Sequence, residues 1–258
     1  MVGRVLLAIG FVGSAIAFAM PGCGTEASYS CDPNCDACVG EQCDAQCVEG
    51  STNAGETCTL DCLQGADCSL DCQNETCRLG CEKQSNCTTD CGGHPCTADC
   101  KAKSTCDVDC TEAGGCDASC EGQSTCNVDC TGKSDCNLDC AGGSTCGIKC
   151  DTKCGGGCGG TSTCTLDCKS GCDLGCDGTS DCTLRCETDC YLCCRGDTGG
   201  CKLDCSAADV TTCPGATAEE VIFVCGKECP DPTQCHYAIE TGGPGGTPDA
   251  GTPDAGKP

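Results

Sequence analysis

The stretch Cys126-Asn-Val-Asp-Cys130, Cys136-Asn-Leu-Asp-Cys140, Cys146-Gly-Ile-Lys-Cys150 decides the fold of this chain. In each unit a cysteine, an aliphatic residue and a second cysteine occupy alternate positions, and polar residues lie between them. Alternation with a period of two indicates a β-strand, because successive side chains of a strand point to opposite faces. Each unit is therefore predicted to be a short strand that directs both cysteines and the aliphatic residue to one side.

The C-x-x-x-C unit recurs sixteen times between Cys58 and Cys205. Single steps between the first cysteines of successive units vary from 8 to 11 residues, whereas steps of two units are 18 to 20 residues from Cys58 to Cys190. Two units therefore form one coil, and internal repeats of this length are typical of solenoids. The sequence predicts an all-β fold, a disulfide-stapled two-sided β-solenoid of 18–20-residue coils with cysteine-rich caps.

Strand geometry limits the disulfides. The two cysteines of one unit lie about 13 Å apart at ~3.3 Å per residue, which is too far for a disulfide. Each cysteine is therefore expected to bond either across the interior to the other side of its coil or to a neighbouring coil. The sequence does not decide between these alternatives.

Composition favours crosslinks over an ordinary core. The chain has 258 residues with 43 cysteines, three phenylalanines, three tyrosines and no tryptophan. Such a composition is typical of a disulfide scaffold. The net charge of −25 excludes nucleic acid as a partner, because binding to phosphate needs clustered basic residues. With two histidines and no catalytic motif, the chain is not expected to be an enzyme.

The first 22 residues are predicted to be a signal peptide, since Arg4 precedes an apolar run of about 15 residues. One alternative places cleavage after Ala17 or Ala19. The other is Met20-Pro-Gly-Cys23, which resembles a bacterial lipobox and makes Cys23 the lipidation site and membrane anchor. A lipid on Cys23 would leave an even number of the 43 cysteines for disulfides, which favours the second alternative.

The regions around the repeat have different compositions. Residues 23–57 are interpreted as a lipid tether and N-terminal cysteine-rich cap, and residues 58–205 as the solenoid. Residues 206–240 are expected to form a C-terminal cap, with a strand at Val221–Val224 that covers the last coil. Residues 241–258 repeat Thr-Pro-Asp-Ala-Gly and are predicted to be a disordered Gly/Pro/Asp tail.

The lipobox-like leader, the C-x-x-x-C repeats and the Thr-Pro-Asp-Ala-Gly tail together resemble cysteine-rich repeat lipoproteins of myxobacteria. The resemblance implies an exported protein of the cell envelope, at the outer membrane or cell surface, with an envelope or extracellular partner. Without the lipid, the protein would be secreted. The resemblance supplies no catalytic residue.

Aspartate precedes the second cysteine of many units, and stacked coils would bring these side chains to about 5 Å from one another. The candidates are Asp71, Asp90, Asp109 and Asp129. Because like charges repel at this distance, the column is a candidate site for Ca²⁺, which prefers several oxygen ligands. The alternative is that these are ordinary surface carboxylates screened by solvent. A different metal hypothesis is thiolate binding of Zn²⁺ or Cu⁺, which requires reduced cysteines.

These patterns predict a function without catalysis. The chain is expected to be an exported, lipid-anchored structural or surface interaction scaffold with no cofactor. The alternative is an acidic Ca²⁺-binding protein or a cysteine-rich metal-binding protein.

Overall fold

The computed structural model describes most of the repeat and its flanks. The described residues are 29–30, 37–40, 42–46, 57–72, 76–111, 113–132, 135–196, 200–231, 233 and 235. The predicted signal peptide at residues 1–22, the candidate lipidation site Cys23 and the tail at residues 241–258 lie outside these residues.

Two β-sheets face each other along the molecule, and the chain alternates between them. Sheet A contains, in spatial order, β1 (Tyr29–Ser30), β3 (Gln42–Gln46), β5 (Asp67–Asp71), β7 (Asn86–Asp90), β9 (Thr105–Asp109), β11 (Thr125–Cys130), β13 (Thr145–Thr152), β15 (Thr163–Ser170), β17 (Asp181–Cys186) and β19 (Cys201–Cys205). Sheet B contains β2 (Ala37–Val39), β4 (Cys58–Leu63), β6 (Cys77–Cys81), β8 (Cys96–Cys100), β10 (Cys116–Cys120), β12 (Cys136–Cys140), β14 (Cys154–Cys158), β16 (Asp173–Gly178), β18 (Cys190–Gly196), β21 (Glu220–Cys225) and β20 (Val210–Pro214).

The predicted solenoid is confirmed by strand register and burial. Neighbouring repeat strands are parallel and in register, so that Cys126 lies opposite Cys146 and Val128 opposite Ile148. The inward side chains of the repeat are buried; Cys126 is 1% exposed and Val128 is 3% exposed. The core is therefore a thin layer of sulfur and aliphatic side chains between two parallel sheets.

Most disulfides of the repeat join the last cysteine of one unit to the first cysteine of the next unit, whereas Cys205 bonds to Cys225 at the end of β21. Both alternatives are formed: the bonds of the first ladder join the two facing strands of one coil, and those of the second ladder join one coil to the next. The bonds that lead from sheet B to sheet A form the first disulfide ladder: Cys38–Cys43, Cys62–Cys68, Cys81–Cys87, Cys100–Cys106, Cys120–Cys126, Cys140–Cys146, Cys158–Cys164, Cys176–Cys182 and Cys194–Cys201.

The bonds that lead from sheet A to sheet B lie along the opposite edge. They form the second disulfide ladder: Cys72–Cys77, Cys91–Cys96, Cys110–Cys116, Cys130–Cys136, Cys150–Cys154, Cys168–Cys172, Cys186–Cys190 and Cys205–Cys225. All 39 cysteines within the described ranges are disulfide-bonded. Both edges of the solenoid are thus covalently closed at every described reversal of the repeat.

The adjacent pair Cys193-Cys194 illustrates how the strand directs its side chains. Cys194 points inward and bonds to Cys201 in the first ladder, whereas Cys193 points outward and bonds to Cys235 in the C-terminal cap. Two neighbouring residues of a strand face opposite sides. The Cys-Cys sequence therefore joins the solenoid interior and the cap at one position of β18.

The predicted N-terminal cap contributes to the solenoid itself. Strand β2 pairs in parallel with β4, and β3 pairs in parallel with β5, with Cys43 opposite Cys68. The sequence Cys43-Asp-Ala-Gln-Cys47 is in fact another C-x-x-x-C unit, with alanine where most units have a larger aliphatic residue. Cys38 of β2 forms its disulfide with Cys43 of β3.

At the C-terminal end, the strand expected at Val221–Val224 lies within β21. It pairs antiparallel with β18, and β20 pairs antiparallel with β21. Sheet B is therefore covered by two reversed strands, whereas β19 is the last strand of sheet A in the described part of the chain. Cys201 and Cys205 of β19 are only partly buried, unlike the equivalent cysteines of the other described coils.

Most turns of the first ladder have five residues, and many of them contain two consecutive residues with positive φ. These pairs are Gln64 and Gly65, Lys83 and Gln84, Ala102 and Lys103, Gly122 and Gln123, and Gly142 and Gly143. Two left-handed residues reverse the chain tightly, as in a type I′ turn. The turns also stack, since Lys103 N–H donates to Gly122 O at 3.0 Å.

A ladder of buried serines connects these turns. The fourth turn residue is Ser85, Ser104, Ser124, Ser144, Ser162 or Ser180 in six successive coils, and each is at most 3% exposed. Ser144 Oγ donates to Ala141 O at 2.8 Å and accepts from Ser124 N–H at 3.2 Å. Ser144 therefore closes its own turn and fastens the turn of the preceding coil, and Ser162 likewise accepts from Ser144 N–H at 3.2 Å.

We predict that Ala102→Gly stabilises the protein. Ala102 has φ +55°, a conformation that costs a residue other than glycine roughly 1–2 kcal/mol. After the entropy cost of glycine in the unfolded chain, the expected gain in unfolding free energy is about 0.5–1 kcal/mol. The matched control is Ala118→Gly, at an inward strand position, which should lower stability. Guanidinium unfolding of the oxidised chain measures the unfolding free energies of both variants. A lower unfolding free energy for Ala102→Gly would contradict this account of the turn.

We also predict that Ser144→Ala destabilises the protein by about 1–3 kcal/mol, because the buried Ser124 N–H loses its acceptor. The effect should be local, so amide hydrogen exchange at Ser124 should accelerate. Thr145→Ala, at the adjacent exposed position, is the control and should change neither quantity. Unchanged exchange at Ser124 would show that the serine ladder does not hold the turns.

Candidate functional site

The outer face of sheet A carries three columns of polar side chains. Each repeat strand presents outward the residue before its first cysteine, the residue after it and the residue before its second cysteine. In β9, for example, these are Thr105, Asp107 and Asp109. Because the strands are in register, equivalent residues of successive coils form continuous columns. We call this surface the sheet A face.

The structure brings the four predicted metal-ligand candidates together in one column. Asp71 lies opposite Asp90, Asp90 opposite Asp109, and Asp109 opposite Asp129 on consecutive strands. Asp90 and Asp109 are exposed, whereas Asp71 and Asp129 are half-buried. The column is therefore a row of solvent-accessible carboxylates with the spacing of parallel strands.

Three of these aspartates also have a structural role that the sequence did not reveal. Asp90 Oδ1 accepts the backbone N–H of Gly92 at 3.0 Å, and Asp109 Oδ1 accepts that of Thr111 at 3.0 Å. Asp129 Oδ1 accepts both the backbone N–H and the hydroxyl of Thr131. Aspartate closes turns in this way because its side chain reaches the backbone two residues ahead. The recurrence of aspartate immediately before the second cysteine was the available signal.

The polar columns contain cross-strand hydrogen bonds. Asn86 Nδ2 donates to Asp67 Oδ1, and Asn127 Nδ2 donates to Asp107 Oδ1, both at 2.8 Å. Further along the aspartate column, Lys149 replaces the carboxylate, and Arg185 forms an ion pair with Asp167 at 2.9 Å. Negative charge on the sheet A face is thus concentrated in its N-terminal half, while the other half is partly neutralised.

A groove of about 540 Å³ runs along the sheet A face. Its rim includes Asp90, Asp109 and Asp129 on one side and Asp107 and Asn127 on the other. These residues occupy two outward columns, which lie about 7 Å apart because alternate strand residues repeat at this distance. The groove can therefore accept cations or hydrogen-bond donors along several coils.

The perturbed titratable groups lie away from the aspartate column. The Arg195 guanidinium lowers the pKa of the Asp177 carboxyl, and the Lys169 ammonium lowers that of Asp151. Burial, together with the Asp173 carboxylate, raises the pKa of Tyr191 to about 12. The ion pairs are solvent-exposed and contribute little to stability. These groups therefore mark packing and surface pairing, and they do not converge on a reactive centre.

Cysteine sulfurs also cluster in groups of three. In one such group, the Sγ atoms of Cys100, Cys106 and Cys126 all lie within 4.8 Å of one another. These sulfurs belong to stacked disulfides. A metal ligand requires the thiolate, and a disulfide sulfur does not provide it. The clusters in the oxidised chain therefore follow from the stacking of coils.

No helix among the described residues is long and apolar enough to cross a lipid bilayer.

No protein-family model matches the chain, and no curated protein or solved structure matches it significantly. Strand pairing, burial and disulfide connectivity define the fold of this chain.

Proposed function

We propose that the protein is a non-catalytic, rigid scaffold that is exported and attached to the cell envelope through lipid on Cys23. The observation that carries the proposal is the closure of every described reversal of the repeat by a disulfide, while the outward columns differ from coil to coil. Such a chain keeps its backbone structure when its outward residues are substituted. An unidentified envelope or extracellular partner would bind the outward side chains.

Three observations support this role. Extensive disulfides persist in oxidising compartments outside the cytoplasm, which agrees with export. Crosslinks between consecutive strands reduce the freedom of the unfolded chain and so oppose unfolding and proteolysis. The sequence contains only two histidines and no catalytic motif, so we assign no enzymatic step.

The first experiment is the intact mass of the protein from its native host, with thiols alkylated before reduction. We expect a diacyl or triacyl increment that maps to Cys23, and no alkylated cysteine. Many free or metal-bound thiols would overturn the scaffold and favour thiolate metal binding. Complete oxidation without a lipid increment would contradict the membrane anchor and indicate a secreted protein.

A second candidate function is calcium binding on the sheet A face. It is favoured by the in-register column of Asp71, Asp90, Asp109 and Asp129 and by the groove beside it. For the last three, Oδ1 already accepts a turn hydrogen bond, so Ca²⁺ would bind through Oδ2 with water completing its six to eight oxygen ligands. Bound Ca²⁺ would stabilise the chain by reducing repulsion along the column.

If calcium binds there, the thermal midpoint of unfolding should rise with Ca²⁺ at constant ionic strength. Asp109→Asn should reduce this rise, because it removes a charge from the column. Asp117→Asn is the matched control, since Asp117 is an equally exposed strand aspartate on sheet B, and it should leave the rise unchanged. Equal responses of both variants, or no response to Ca²⁺, would indicate ordinary screened carboxylates.

A further inference from the structure

The disulfides of each ladder lie in contact with one another. In the second ladder, Cys91 Sγ lies 3.6 Å from Cys110 Sγ and 3.7 Å from Cys116 Sγ, and Cys96 Sγ lies 4.0 Å from Cys72 Sγ. In the first ladder, the sulfurs of Cys81, Cys87 and Cys106 lie within 4.8 Å of one another. The three contacts of the second ladder join different disulfides, and in the first ladder Cys106 lies beside the Cys81–Cys87 disulfide.

This arrangement is the geometry that thiol–disulfide exchange needs. A thiolate attacks one sulfur of a disulfide, forms a new bond to it and releases the other sulfur as a thiolate. A free thiolate at Cys106 would lie within 4.8 Å of a sulfur of each neighbouring disulfide, Cys87 on one side and Cys126 on the other. The attack requires no opening of the fold, because the reacting sulfurs are neighbours inside it.

We propose that each disulfide ladder conducts thiol–disulfide exchange along the solenoid, so that one free thiol moves from coil to coil. In a chain with Cys106 free, its thiolate attacks Cys126 Sγ, the Cys106–Cys126 bond forms, and Cys120 leaves as the new thiolate. Cys120 then faces Cys140, its register partner on β12. Every step forms one S–S bond and breaks one, and no electrons are gained or lost.

The new bonds fit the backbone. Cys106 and Cys126 are register partners on neighbouring parallel strands, and such strands lie about 4.8 Å apart. This value lies within the usual Cα–Cα range of about 4.4–6.8 Å for disulfides. Each step therefore replaces a bond within a coil by a bond between coils, and the solenoid stays crosslinked.

Thiols from outside would enter at the C-terminal end. Cys201 and Cys205 are partly exposed, whereas the other ladder cysteines in the described ranges are at most 8% exposed. A small monothiol that attacks Cys201 Sγ forms a mixed disulfide there and releases the Cys194 thiolate. Cys194 lies in register with Cys176, the next disulfide of the first ladder. This activity is independent of the lipid anchor and of any partner.

The test uses Cys100→Ser in the full chain, which leaves Cys106 as the free thiol. The oxidised variant is held at pH 8 for hours, quenched with acid, alkylated under denaturing conditions and mapped by mass spectrometry. We expect the label on Cys106 to fall below about half of the total, because two neighbouring disulfides offer similar exchange products. The rest should lie on Cys81, Cys120 and further cysteines of the first ladder, with new Cys87–Cys106 or Cys106–Cys126 bonds.

Three controls make the result specific. Incubation at pH 4 should keep the label on Cys106, because the protonated thiol does not attack. Removing the next disulfide with Cys120→Ser and Cys126→Ser in the Cys100→Ser chain should abolish label at Cys146, the thiolate released when Cys120 attacks Cys140, but keep it at Cys81. Cys120→Ser alone, which frees Cys126, is the second variant if Cys100→Ser does not fold, and its label should move to Cys100.

The proposal would be overturned if the label stays on Cys106 at pH 8 in a folded variant. It would also be overturned if both ladders are labelled equally, since that pattern indicates exchange in an unfolded chain. For the wild-type chain, one equivalent of a small monothiol should give a mixed disulfide at Cys201 and free thiols at Cys194 or Cys182. A thiol confined to the attacked disulfide would contradict movement along the ladder.

Discussion

The covalent bond across each chain reversal is the constraint on which this structure depends. Its Cα–Cα distance is 5.9–6.5 Å throughout both ladders, so the two sheets are held at one narrow separation at both edges. A space of this width accommodates one layer of inward side chains between the sulfurs. The alternation of cysteine, aliphatic residue and cysteine is the sequence that fills it. In β14 the inward residue is Gly156, and a Cβ there would lie 2.5 Å from Leu138 O on the neighbouring strand β12 of the same sheet.

The remaining interactions act within the frame set by the disulfides. Parallel register satisfies the backbone along each sheet, and the serine ladder and the aspartate caps satisfy it at the turns. The buried Ser144 hydroxyl donates to a turn carbonyl, and the exposed Asp109 carboxylate accepts a turn N–H. The crosslinked fold tolerates features that are locally unfavourable in free energy. Ala102 and Lys103 have positive φ, and four aspartates stack in one column. Neither feature interrupts the stack of coils.

Much of the fold follows from the sequence because its signals are local and repeated. The period of two predicts strands such as Cys126–Cys130, and the steady two-unit step predicts which aspartates become neighbours. The disulfide partners could not be deduced, because a strand cysteine can reach both the facing strand of its own coil and the neighbouring coil. The antiparallel direction of β21 depends on the path of the preceding loop, which has no repeat to reveal it. The strand β3 was missed because its first cysteine, Cys43, precedes Cys58 by 15 residues, which interrupts the step of 8 to 11 residues between successive units.

The two kinds of chemistry in the molecule are spatially separated, and this separation bears on the proposed scaffold. The disulfides of the two ladders lie between the sheets, whereas the outward columns of the sheet A face hold Asp, Asn, Thr, Ser, Gly, Lys or Arg at equivalent positions. Asp129 and Lys149 are register partners on neighbouring strands. The surface charge therefore differs between these two coils, while the register and the inward layer stay the same. A partner can therefore be recognised by the outward residues alone, because the crosslinked interior does not depend on which residues they are.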